Sequence, residues 1–259
     1  VRTLYLGTHR PTWLRLGGPP LMVSRNTMPT RTLPVAVVPW VLDSGGFTEL
    51  SLHGGWRIGA TVYAALVQRY VDEIGRLVWA APQDWMCEPV MLERTGLTVA
   101  EHQRRTTANL LDLRTIDATL PIVPVLQGWT LDDYQRHADD YDRAGVDLCA
   151  EATVGVGSVC RRQDTDEAVA ILSTLCERGL RLHGFGLKAK GIAKAWPYLA
   201  SADSLAWSYD ARRVAARGVC CRRMYRGRPI RSCANCRHYA LDWYRRASGW
   251  AQPLQGQLW

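Results

Sequence analysis

Short apolar, β-rich runs recur along the chain. Between them lie longer stretches in which apolar side chains return every three to four positions. The runs at residues 3–6 (TLYL), 35–42 (VAVVPWVL), 77–81 (LVWAA), 122–126 (IVPVL), 146–150 (VDLCA), 182–186 (LHGFG) and 204–207 (SLAW) predict strands. Continuous apolar runs of this length suit parallel strands covered on both faces. The helical stretches have readable ends. Thr98 with Glu101 forms a capping-box pattern ahead of AEHQRRTTANLLDLR, and Thr130 opens LDDYQRHADDYDRAG with Gly145 at its close. Asp164 with Glu167 opens a further helix that Gly179 is placed to end, and residues 60–74 repeat apolar positions at helical spacing.

Strand–helix alternation implies parallel βαβ units. Seven or eight such units in the first ~215 of 259 residues predict an α/β fold of the TIM (β/α)₈ barrel type, residues 1–217. A doubly wound open sheet is the rival architecture, but no GxGxxG or GxxxxGK[ST] phosphate loop favours it. Residues 11–34, rich in Pro and Gly, read as loops over one face. From residue 218 the alternation stops and Arg, Cys and Trp rise, so residues 218–259 read as a small C-terminal zinc-binding appendage with a helix at YALDWYRRA. No apolar stretch is long enough for a membrane span, and the first residues lack the order of a signal peptide, which predicts a cytoplasmic protein without membrane partners. Oligomeric state is not legible.

Charge sharpens this. The net charge is +8, and the basic residues are almost all arginine, with lysine only at positions 188, 190 and 194. Residues 211–246 carry eleven Arg and a single acid, Asp242. A local excess of this kind suits a polyanion, through phosphate contacts and counterion release. Four of the eight Cys (Cys87, Cys149, Cys160, Cys176) are scattered in apolar or helical surroundings and read mostly as buried thiols. The others, Cys220, Cys221, Cys233 and Cys236, cluster within 17 residues, which favours a metal over disulfides.

Polar residues gather where the inferred strands end: Asp43-Ser44-Gly45-Gly46-Phe47, Gln83-Asp84-Trp85, Gln127-Gly128, the stretch Gly155-Val156-Gly157-Ser158 and Leu187-Lys188, while Asp203 and Ser204 border the 204–207 strand. In a barrel the strand C-termini meet on one face, and that face carries the active site. Any one of these residues would pass as a cap or a turn former. Their recurrence at strand after strand predicts one pocket.

These same segments, DSGGF at 43–47, Asp84, VLQG at 125–128, the glycine turn at 155–157, HGFGLK at 183–188 and Asp203, stand in the order found in guanine transglycosylases, and the chain resembles that family over residues 40–215 and in its cysteine cluster. The flanking text QDWMCEP, GVGSVCRRQ and SADSLAWS is most similar to the DpdA-type branch, linked to deazaguanine in DNA. The resemblance implies exchange of guanine for a 7-deazaguanine base (preQ₀-type) in DNA, with Asp203 as the nucleophile that holds the sugar as an ester. Asp43 fits the general base that takes the proton lost by the incoming base. Asp84 fits the reader of the guanine N1–H and amine, Gln127 a donor to the base carbonyl, and the backbone N–H groups of Gly155 or Gly157 further close contacts. Trp85 or Phe47 would stack on the base, or belong to the core. The base must leave its stack to be reached. Arg161, Arg162 and Lys188 are candidate phosphate contacts. Asp203 is followed by SLAWSYDARR where the tRNA enzymes carry a Pro-Thr-Arg run, and Arg212 and Arg213 are candidates to replace that contact. In the cluster C-C-x11-C-x2-C-x-H, Cys233 and Cys236 have the spacing of paired Zn²⁺ ligands; Cys221 (with Cys220 as rival) and His238 complete a structural Cys₃His set of the kind the family carries. Three rival readings are a tRNA-guanine transglycosylase, a non-catalytic nucleic-acid-binding barrel and an unrelated barrel glycosidase.

Overall fold

The computed structural model describes residues 2–159, 165–215, 224–225, 228–229 and 233–250. Eight strands form one sheet: β1 (Thr3–Thr8), β2 (Leu21–Ser24), β3 (Trp40–Asp43), β4 (Leu77–Ala80), β5 (Val125–Leu126), β6 (Val154–Val156), β7 (Leu182–Gly184) and β8 (Ser201–Ser204). Their order is β4-β3-β2-β1-β8-β7-β6-β5, and every pairing is parallel. The order follows the chain around a ring. The two edges also approach each other. Ala80 pairs with Ile122 just ahead of β5: the Ala80 N–H donates to Pro121 O at 2.8 Å and the Val123 N–H to Ala80 O at 3.1 Å. The sheet is therefore strongly curled.

Helices connect the strands: α1 (Gly46–His53), α2 (Ala60–Glu73), α3 (Pro89–Thr95), α4 (Val99–Ile116), α5 (Leu131–Arg143), α6 (Asp166–Glu177), α7 (Ala189–Ala195) and α8 (Ala206–Ala215). Their starts follow the capping chemistry in the sequence. Thr98 accepts from the Glu101 N–H, and Thr130 and Asp133 form a reciprocal capping box. The helix read as opening at Asp164 is capped by Thr165, and Asp164 itself lies outside the described residues. A short antiparallel pair, β9 (Met224–Tyr225) and β10 (Arg228–Pro229), precedes α9 (Arg237–Trp250). Helix α9 lies against the main fold: Ala240, Trp243 and Ala247 are buried in its core, and the Tyr244 hydroxyl donates to Leu4 O at 2.9 Å. Among the described residues no helix is long and apolar enough to cross a membrane.

Side chains alternate along each strand, so the sheet has two apolar faces. The outer face packs under the helices and forms the larger core. The inner face holds a smaller cluster of Tyr5, Met22, Val41, Trp79, Val123 and Val125, with Phe185 against it. This inner plug is the floor on which the polar strand ends stand.

Five expectations need correction. Residues 11–34 are not all loop: Leu21–Ser24 is β2, too short between Pro20 and Arg25 to show a pattern. In residues 35–42 only the last part joins the sheet; Pro39 has no N–H for a ladder, and the Val37 N–H turns to Leu14 O. Residues 146–150 are not a strand. Asp147 accepts from the N–H groups of Cys149 and Ala150 and folds them into a turn, and the strand is the glycine-centred Val154–Val156. The last strand is the polar Ser201–Ser204, with α8 beginning at Ala206, so Asp203 lies inside a strand instead of before one. Cys149, read with the buried thiols, is exposed.

Candidate active site at the strand C-termini

Asp43 ends β3. The Ser24 hydroxyl at the end of β2 and the Gly45 N–H donate to its carboxylate. Burial raises the Asp43 carboxyl above the usual carboxylate range, the charge of Asp203 adds to the rise, and the two hydrogen bonds and Arg25 oppose it. The turn that carries Asp43 is held from outside. Gly45 is left-handed at φ +86°, and a Cβ there would stand 2.4 Å from Asn26 Nδ2. Arg25 donates to Ser44 O at 3.0 Å and to Glu49 Oε1 at 2.7 Å. Glu49 is almost fully buried, and its hydrogen bonds from Arg57 and Arg25 pull its carboxyl down to about 2.

Asp84 follows β4 and is buried. Its Oδ2 accepts from Gln127 Nε2 at 2.5 Å and its Oδ1 from the Ser44 hydroxyl at 3.1 Å. Burial first, and the Asp43 charge second, push the Asp84 carboxyl up to about 7. Interacting charges and raised proton affinity of this kind mark Asp43 and Asp84 as candidate site carboxylates.

Gln127 is fixed at every atom it offers. Its N–H donates to His137 Nδ1 at 2.9 Å, its carbonyl accepts from Gln103 Nε2 at 2.7 Å, and its side-chain Oε1 accepts from the Ser158 hydroxyl at 2.7 Å. Burial drives His137 down to about 3, so the ring is neutral and its Nδ1 is free to accept. Ser158 is a left-handed non-glycine residue at φ +59°. That strained backbone places its hydroxyl between Gln127, Glu88 Oε2 at 3.0 Å and the donating Cys87 N–H at 2.9 Å.

The two glycines act differently from the expectation. The N–H groups of Gly155 and Gly157 donate to Pro124 O and Leu126 O, so the sheet occupies the amides assigned to the base. Their missing side chains make room for protein: a Cβ at Gly157 would fall 2.2 Å from Gln127 Nε2, and one at Gly155 2.5 Å from Phe185. These glycines shape the site by letting Gln127 and Phe185 lie close.

Asp203 sits opposite, on β8 and nearly buried. It pairs in register with Tyr5 of the inner plug. Its Oδ1 accepts from the Gly186 N–H at 2.8 Å, and its backbone carbonyl accepts from the Leu187 N–H at 3.0 Å. Gly186 is left-handed, which turns its N–H back towards β8. The structure thus brings Asp43, Asp84, Gln127 and Asp203 from four strand ends to one place. Phe47 is exposed beside it, and Trp85 lies under the Arg105 guanidinium at 4.5 Å. Lys188 is exposed at the start of α7. Arg212 and Arg213 are exposed on α8; the Arg212 charge adds to burial in lowering the pKa of His9, which follows β1, so Arg212 stands at this same end. Arg161, Arg162, Cys220 and Cys221 lie outside the described residues. Cys233 and Cys236 are thiols in the turn that starts α9, where the Cys236 N–H donates to Cys233 O at 2.9 Å, and His238 follows on the first turn. The two-residue gap and that turn suit a pair of zinc ligands. Among the described residues no group of three His, Cys, Asp or Glu side chains is placed to hold a metal.

Sequence reasoning missed Gln103 and His137 as supports of the site, because each acts through partners in other elements. Ser44, Glu88, Ser158 and His183 stood inside the motifs and were legible by position, but their roles were not.

A curled parallel sheet with interacting carboxylates gathered at its strand C-termini defines the chain as an α/β protein with a candidate active site at that end. The chain belongs to the DpdA family: the family model described as "DeoxyPurine in DNA protein A" matches residues 1–255. Membership makes it a protein of deazapurine modification in DNA, of the transglycosylase type. No curated protein matches the chain.

Proposed function

We propose that the protein exchanges guanine in DNA for a 7-deazaguanine base of the preQ₀ type, as a pentosyltransferase built on a (β/α)₈ barrel. The observation that carries this reading is the convergence of Asp43, Asp84 and Asp203, with Asp84 tied to Gln127. Asp203 attacks C1′ as the bond from C1′ to guanine breaks. Protonated Asp43, favoured by its burial, gives its proton to the departing guanine. The incoming base then loses its ring proton to the Asp43 carboxylate, bonds to C1′ and releases Asp203. Protons balance over the cycle, and two displacements retain the configuration. Asp84, ionised, accepts from the N1–H and amine of either base, and the second Gln127 amide hydrogen is left for the base carbonyl. A buried edge reader of this kind rejects bases that leave it unpaired.

The target nucleotide is flipped or single-stranded. Lys188, Arg212 and Arg213, together with Arg161 and Arg162, hold its phosphates. Cys221, Cys233, Cys236 and His238 would bind Zn²⁺, which supplies a structural cross-link and no chemistry. The setting is the cytoplasm, that of a host cell if the gene is carried by a phage.

The test is release of labelled guanine from DNA and from tRNA in the presence of preQ₀ or preQ₁. Release from DNA, with a covalent protein–DNA complex on denaturing gels, is expected. Release from tRNA alone would overturn the DNA reading. Binding without release from either would overturn the enzyme reading.

A further inference from the structure

The inner plug under the site is aromatic and aliphatic, with one exception. His183, on β7, is fully buried, with its ring centroid 4.7 Å from both Trp79 and Phe185. A polar ring in such a place is costly unless its nitrogens are used. Nδ1 is used: it lies 2.9 Å from the Ser201 hydroxyl. Nε2 makes no hydrogen bond, and it lies 3.4 Å from Asp203 Oδ1.

The hydrogen on Nε2 follows from these contacts. If the Ser201 hydroxyl donates to Nδ1, the ring is neutral and its hydrogen is on Nε2. If the ring is protonated, both nitrogens carry hydrogen and Ser201 accepts. The remaining tautomer would set a lone pair of Nε2 against the carboxylate oxygen, which is repulsive. In each favourable state an N–H faces Asp203. The Gly186 N–H already holds the same oxygen at 2.8 Å. Oδ1 therefore accepts from one N–H and is faced by a second, which points to Oδ2 as the oxygen that meets the sugar.

We propose that His183 is a positioning residue for Asp203: with the Gly186 N–H it holds Oδ1, presents Oδ2 to C1′, and stabilises the carboxylate when it departs from the sugar. This rests on the reading of Asp203 as nucleophile. The 3.4 Å separation closes to a hydrogen bond in the complex, as often happens when a resting site takes up its substrate. The two half-reactions use the donors unequally. In the first, Asp203 Oδ2 bonds to C1′ while the C1′–guanine bond breaks, and the charge on the carboxylate is consumed. Donors on Oδ1 align the attack but also stabilise the charge being lost. In the second, the incoming base bonds to C1′, the C1′–Oδ2 bond breaks, and its electron pair returns to Asp203. There the donors act on charge as it develops.

The experiment separates these steps. Single-stranded DNA carrying radiolabelled guanine is mixed with protein without added base, and the burst of released guanine is timed. The accumulated covalent complex is then chased with unlabelled guanine. In His183→Met the chase slows about tenfold or more while the burst stays within about threefold of the unchanged protein. His183→Gln, whose amide nitrogen reaches the same place, restores most of the chase rate. Equal losses in burst and chase, or an unchanged chase in the Met variant, would overturn the proposal. If His183→Met does not fold, the Gln variant carries the test: a chase as slow as complete donor loss, in a protein melting like the unchanged one, overturns it. Should the unchanged protein form no complex that Asp203→Ala removes, the nucleophile reading fails, and this inference with it.

Discussion

The two sides of the site are held by different means. Asp84 is gripped by side chains: Ser44 and Gln127 donate to it, and Gln127 is in turn fixed by Gln103, His137 and Ser158. Asp203 is gripped mainly by backbone, through the Gly186 N–H, with His183 beyond it. The first arrangement suits a reader, whose two oxygens must be aimed at two donors of a base. The second suits a reactant, because a side-chain clamp on both oxygens would leave none to attack. On the proposed function, rigid recognition and available chemistry are divided between opposite strand ends.

That division gives predictions of decreasing size. Asp203→Ala should lower base exchange by about a thousandfold or more and remove the covalent complex, since no other group supplies the nucleophile. Asp43→Asn should follow, with about a hundred- to ten-thousandfold loss in guanine release, because the departing base then lacks its proton donor. Quench-flow assays of each variant check both. A covalent complex that survives Asp203→Ala would erase the contrast altogether.

Asp84→Asn tests the reader. Its carboxyl, ordinarily near 3.8, stands at about 7 in the fold. Ionised Asp84 is needed for the base, so KM for the base should rise about tenfold per pH unit below 7 and level off above it. The Asn variant should lose this dependence and bind the base about ten- to hundredfold more weakly, through one mismatched hydrogen bond. The stability effect has the opposite direction. Between pH 3.8 and 7 the unfolded chain has lost this proton and the native state keeps it, so the group costs stability as pH rises through that window. The melting temperature of Asp84→Asn relative to the unchanged protein should therefore improve from pH 5 to pH 8. Gly157→Ala is the mildest test. Its Cβ would overlap Gln127 Nε2, at a cost of about 1–3 kcal/mol, and should weaken base binding with little effect on the covalent step. Equal damage to both steps would show that the two sides do not work separately.

Much of this was legible beforehand. DSGGF marks the β3 end because the two glycines after Asp43-Ser44 allow the left-handed Gly45 turn and the close start of α1, where a Cβ at Gly46 would lie 3.4 Å from Asp84 Oδ1. The helix starts at Thr98 and Thr130 were readable because capping is local chemistry. Strands β2, β6 and β8 were not readable. They are three or four residues long, β2 is hemmed by Pro20 and Arg25, β6 and β8 carry glycine or polar side chains, and neighbouring strands complete their hydrogen bonds. The Gly155 and Gly157 amides were misassigned for the same reason: a glycine-rich segment looks open until a neighbouring strand takes its N–H groups.

The amino-acid sequence by itself determined which residue types are present, in what order, and where local turns and caps begin. This was enough to bring Asp43, Asp84, Gln127 and Asp203 to the strand ends. Tertiary structure alone decided how each is held. The raised carboxyl of Asp84, the hydroxyl of Ser158 against Gln127 and the ring of His183 under Asp203 all depend on burial and on partners 18 to 43 positions away. Desolvation and hydrogen bonding act through space, and only the closed fold sets those distances.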